Sequence, residues 1–128
     1  MATSSDVIRI GRISSIDYKR GMASVTYPDR DGMVTAFLPV LSFTGEYRMP
    51  EVDSEVLVCH LSNGSANGVI VGKFWDVDNL PPVYGKGLFI KELGSVPGAA
   101  YISCEDDEIT FHDKNGTITL KQIIEGLS

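Results

Sequence analysis

Residues 49–75, MPEVDSEVLVCHLSNGSANGVIVGKFW, decide the fold. Pro50 removes a backbone donor and rules out a helix through the approach. Val56 to Leu61 is a near-continuous apolar run of strand length, suited to packing on both sides. Ser62 to Gly68 is a loop of Ser, Asn and Gly. Val69 to Trp75 reads as a second strand, closed by Gly-Lys-Phe-Trp.

Working outward, Val7 to Tyr18 has strand character, and Gly11 within it marks a bulge or bend. Lys19-Arg20-Gly21 is a turn. Met22 to Tyr27 alternates, with Ala23, Val25 and Tyr27 on one face and Ser24 and Thr26 on the other. Pro28 to Gly32 is a polar turn, and Val34, Ala36 and Leu38 share a face of a third strand limited by Pro39. Ser42 to Asp53 is a longer irregular connection. Five strands with their long connection between the third and fourth fit a five-stranded OB-type barrel. Asp76 to Pro82 changes character and its two prolines stiffen it. The barrel domain is therefore set at residues 1–82.

Residues 83–128 form a second β-rich segment. Candidate strands are 87–91, 100–105, 108–113 and 117–121, and 120–126 has the pattern of a terminal helical turn ended by Gly126. Ile109 and Phe111 share one face, as do Ile118 and Leu120. An Asn115-Gly116 turn sets Phe111 opposite Leu120. A β module this small does not bury its apolar faces alone. Association of three copies through Ile109, Phe111, Ile118 and Leu120 resolves this, giving a short trimerising β-prism tip. The whole chain is expected to be all-β.

A formal net charge of −6 argues against general nucleic-acid binding, which needs clustered Lys and Arg. The first residues, MATSSD, lack a basic and apolar leader pattern, so the protein is expected to be made in the cytoplasm. Cys59 and Cys104 form no C-x-x-C pair and read as reduced small hydrophobes. Cys59 alternates with Leu57 and Leu61, which suggests a core face.

Catalytic and metal-binding groups are sparse. His60 reads as a strand residue at the barrel rim and His112 as a solvent-facing residue; neither has a serine in a nucleophile-elbow setting. Asp29 and Asp31 lack calcium-loop spacing. Glu105-Asp106-Asp107-Glu108 reads as a solvated turn between strands. Phe37, Phe43, Tyr47, Phe74 and Trp75 suggest a stacking platform for bases, but the acidic balance favours a role in the core or in a subunit interface. No enzyme, cofactor or bound metal is expected.

The 49–75 stretch, with Tyr27-Pro28-Asp29-Arg30-Asp31-Gly32 and Phe37-Leu38-Pro39-Val40 before it, resembles the baseplate-spike family of contractile phage tails. That family includes the phage baseplate assembly protein V group and the spike proteins of type VI secretion. The resemblance covers Ile8 to Pro82, and the later segment only in style. It implies an OB-type barrel followed by a trimeric prism, docked on tail hub and baseplate proteins. It also implies a mechanical role in capping the tail tube and penetrating the target envelope. Assembly into a phage, a phage-tail-like bacteriocin or a related particle, with release from the cell, would follow. Departures are Asp53-Ser54 where a glycine is common and Tyr47-Arg48-Met49-Pro50 in place of a tryptophan-containing version. The H-x-H pairs that build an iron site in many family tips have no counterpart here, and no residues remain for a lysozyme domain. A free-standing OB-fold module binding oligosaccharide or single-stranded nucleic acid is the alternative reading, and a small hydrolase the third.

Overall fold

A computed structural model describes residues 7–28, 31–61 and 67–127. It is mostly β, with two antiparallel sheets and one short C-terminal helix. The chain separates into two compact units, residues 1–79 and 80–128.

The first unit contains β1 (Ile8–Asp17), β2 (Met22–Tyr27), β3 (Met33–Val34), β4 (Leu38–Pro39), β5 (Glu55–His60) and β6 (Gly68–Gly72). The sheet order is β3-β2-β1-β5-β6, with β4 also paired to β2. A parallel bridge joins Val40 to Ile70, and the Leu41 amide donates to the Ile70 carbonyl at 2.9 Å. The core is Ile13, Ala23, Val25, Tyr27, Leu38, Val56, Val58 and Ile70, with Ile16 and Val40 packed against it. Each large side chain buried here stabilises the fold by about 1.5–3 kcal/mol.

Several expectations are corrected. The third strand is two short pieces, because Thr35 interrupts it. Its amide donates to the Val25 carbonyl and its hydroxyl accepts from the Val25 amide, so a side chain replaces a ladder acceptor. Val34 is consequently exposed whereas Leu38 is buried. On β5 the inward residues are Val56, Val58 and His60. Leu57 and Cys59 are only half-buried and Leu61 is exposed, so the core face is the opposite of the one Cys59 suggested. The irregularity in β1 falls between Ile13 and Ser15, not at Gly11.

Gly11 answers a different need. A Cβ there would lie 2.4 Å from Val25 Cγ1 and 2.8 Å from two ring carbons of Tyr27. The glycine leaves the space that the Tyr27 ring fills.

The second unit contains β7 (Leu88–Glu92), β8 (Tyr101–Glu105), β9 (Glu108–Asp113), β10 (Gly116–Thr119) and α1 (Leu120–Gly126). The sheet is a meander in the order β10-β9-β8-β7. Asp106 and Asp107 have φ of 51° and 69°, the paired left-handed geometry of a two-residue hairpin loop. The last hairpin turns at Lys114-Asn115, one residue earlier than expected. The Asp113 carboxylate accepts from the Asn115 amide at 2.7 Å, and the positive φ falls on Gly116. Phe111 therefore sits opposite Ile118 and not Leu120. Thr119 ends the strand as the N-cap of α1, sharing a reciprocal capping box with Gln122.

Gly11→Ala is expected to destabilise the first unit by about 1–3 kcal/mol through overpacking against Val25 and Tyr27. Urea unfolding followed by Trp75 fluorescence measures it; an unchanged midpoint would show that the Tyr27 ring can shift aside.

Candidate functional site

The expected interface residues lie in the second unit. Strand register assigns its faces, since directly paired residues point to the same side. One row is Phe89, Cys104 and Ile109; another is Lys91, Ile102, Phe111 and Ile118. These rows are two positions apart, so they occupy one face. The opposite face carries Glu92, Tyr101, His112, Thr117, Ser103, Thr110, Thr119, Glu105 and Glu108, with Leu88 and Ile90 among them. The sheet is amphipathic, and its apolar face is open at Phe89, 64% exposed, Ile102 and Ile118, while Cys104, Ile109 and Phe111 are half-buried.

Three of the four expected residues, Ile109, Phe111 and Ile118, share this face. Leu120 does not, because it begins α1. The sequence reading missed Phe89, Ile102 and Cys104. Their period-two spacing was visible in residues 88–92 and 101–105, but the register that aligns them with Phe111 was not. The polar face holds His112, half-buried. Its ring stacks on Tyr101 with centroids 4.9 Å apart, and its Nδ1 lies 2.6 Å from the Thr117 hydroxyl.

The first unit buries a polar group that sequence reasoning placed elsewhere. His60 is 5% exposed and inside, not at a rim. Its Nε2 lies 2.5 Å from the Tyr27 hydroxyl, and its Nδ1 lies 3.3 Å from the Asn67 carbonyl. A carbonyl only accepts, so Nδ1 carries the proton and Nε2 accepts from the phenol. The Arg9 guanidinium sits 3.8 Å from the Tyr27 ring centroid, a cation–π contact in a buried setting. Gly68 fits against His60 closely, since a Cβ there would lie 2.7 Å from the Cys59 carbonyl. This cluster faces the core and links β1, β2 and β5 through side chains.

The aromatic residues suggested for the core lie outside it. Phe37, Phe43, Tyr47 and Trp75 are exposed and Phe74 is half-buried. Tyr27 supplies the buried aromatic bulk. Asp29 lies outside the described residues. The Glu105–Glu108 run forms the β8–β9 turn. Among the described residues no group of three or more His, Cys, Asp or Glu side chains is placed to hold a metal. Among them, no helix is long and apolar enough to cross a membrane.

Two carboxylates have displaced acidities. Asp17 is held below its ordinary value by hydrogen bonds from the Arg20 side chain and amide. Glu55 is raised, first by a hydrogen bond to Asp76, then by burial and by the Asp76 charge.

No protein-family model matches the chain, and no curated protein matches it.

Two outcomes test these contacts. Tyr27→Phe removes the donor to Nε2 and leaves a buried acceptor unmatched, at a cost of about 1–3 kcal/mol; thermal unfolding compares it with the parent. Glu55 binds its proton more tightly folded than unfolded. Its ionisation therefore opposes folding above the raised value and has no effect below the unfolded value of about 4.3. Glu55→Gln should raise the unfolding midpoint at neutral pH, with the gain vanishing near pH 4; a gain independent of pH would refute the pairing with Asp76.

Proposed function

We propose that this chain is a structural spike or hub component of a contractile injection apparatus, acting as a homotrimer and not as an enzyme. The observation that carries the reading is the open apolar face of the second sheet. Phe89, Ile102, Cys104, Ile109, Phe111 and Ile118 lie together on one side, with a polar side behind them. A face of this kind is an association surface. Three copies that turn it toward a common axis bury it and leave the Thr- and Glu-bearing side to solvent. Residues 80–128 contribute to the tip so formed.

The first unit supports the same reading. Pairing runs from β1 through β2 and β4, and Val40 then meets Ile70 of β6, which leads back through β5 to β1. We take this circuit as an OB-type barrel, with the Val40–Ile70 bridge as its closure. It agrees with the resemblance of residues 8–82 to baseplate spikes. In that setting three barrels form a collar on the hub that closes the tail tube, and the tips lead through the target envelope.

Light scattering should give three times the chain mass of 13.9 kDa. Phe111→Asp places three carboxylates on a dry axis, at a cost of several kcal/mol per ion, and should yield monomers with the first unit intact. His112→Asp, one residue on but on the polar face, should remain trimeric. The Cys104 thiol should resist maleimide in the parent and react in Phe111→Asp, with Cys59 as the internal reference. A monomeric parent at micromolar concentration sinks the proposal.

A further inference from the structure

The last hairpin carries a chemistry that the spike reading does not use. Its loop ends in Asn115, and β10 begins with Gly116. A backbone amide that follows asparagine can attack the side-chain carbonyl carbon, which is one reason asparagine is labile. Glycine in the second place has no Cβ and leaves the attacking nitrogen unshielded.

The surroundings of this pair leave the reaction open. Residues 113–118 are all exposed. The Asp113 carboxylate holds the Asn115 backbone amide, and among the described residues the Asn115 carboxamide has no hydrogen-bond partner. A Cβ built on Gly116 would meet nothing within 4 Å. Gly116 pairs with Asp113 at the end of the ladder, where local opening costs least.

Asn67-Gly68 is the same dipeptide in the opposite setting. Gly68 is buried, and a Cβ there would lie 2.7 Å from the Cys59 carbonyl. The Asn67 carbonyl accepts from the Leu61 amide at 3.0 Å and from His60 Nδ1 at 3.3 Å. The peptide group that would have to turn is therefore pinned.

We infer that Asn115 is a self-modifying site, where the Gly116 nitrogen converts the carboxamide to isoaspartate and lengthens the backbone of the loop that sets the β9–β10 register. The Gly116 nitrogen gives up its proton and bonds to Asn115 Cγ, and the carboxamide nitrogen takes a proton and leaves as ammonia. Water then opens the cyclic imide. Opening at Cγ gives aspartate; opening at the backbone carbonyl gives isoaspartate, whose chain runs through the side-chain methylene. Water is the single co-reactant. The added methylene falls beside a two-residue loop, and the placing of Phe111 opposite Ile118 depends on that loop. The chemistry is confined to one hairpin, so it stands independently of the trimer proposal.

The test incubates the full chain in heavy-oxygen water at mildly alkaline pH, folded and in urea, and then cleaves after glutamate. Mass spectrometry reads the fragments 109–125 and 56–92, and isoaspartyl methyltransferase reads isoaspartate. In the folded chain position 115 should take up label and accept methyl groups at least about tenfold faster than position 67. In urea the two positions should convert alike. There, where hairpin folding plays no part, Gly116→Ala should slow conversion about tenfold or more by shielding the nitrogen. Asn115→Gln, which would need a larger ring, should accept no methyl groups at that position. Hydrogen exchange should show lost protection over residues 109–119 in the converted chain. Asn115→Asp carries the charge without the methylene and should keep that protection. The proposal is overturned if Asn115 survives in the folded chain while converting in urea, or if positions 67 and 115 convert equally when folded. Protection that is unchanged after conversion also overturns it.

Discussion

The ring of Tyr27 is the constraint on which the first unit depends. It lies on β2, fills the gap left by Gly11 on β1, meets the Arg9 cation on one side and donates its hydroxyl to His60 on β5. Two consecutive strands and a third remote in sequence are thereby linked through one side chain. An apolar residue of similar size would supply the bulk but not the hydrogen bond. A smaller one would leave a void that neighbouring Val25 cannot fill. The polar partners are tolerated inside because each is matched, which is the condition for burying polar groups at all.

The second unit is built on the opposite plan. Its strands bond only to their sequence neighbours, and its apolar side chains are half-buried or exposed. Nothing in it resembles the dense core around Tyr27. Within the chain, its stability comes from hairpin turns and cross-strand pairs. The first unit carries a buried interior; among the described residues of the second, no apolar side chain is fully buried.

Strand content was legible from residue patterning, as was the terminal helix, because alternation and the 120–126 pattern ended by Gly126 are local signals; the Thr119–Gln122 cap emerged only with the structure. Face assignment was less so. On β5, Val56-Leu57-Val58-Cys59-His60-Leu61 is apolar at almost every position, and composition does not tell in from out. His60 lies inward where Tyr27 meets it with a hydroxyl, a contact between residues remote in sequence. The register of the last hairpin turned on one residue: Asn-Gly suggests a turn centred on itself, but the Asp113 carboxylate captures the Asn115 amide and moves the loop back. The exposure of the Phe43 and Tyr47 rings removes only the core half of the core-or-interface expectation, and strained backbone leaves no mark in composition.

The neighbour-to-neighbour order of the second sheet has a kinetic consequence. Each of its pairings closes a short loop, so contact order is low and the hairpins can zip up rapidly once made. The first unit must wait for β5 and β6 before β1 finds its second partner, but it is complete by Gly72. On a growing chain it can finish folding while the later strands are still being synthesised. The second sheet then emerges attached to a unit that is already folded, so the two units acquire their structure one after the other and not in competition.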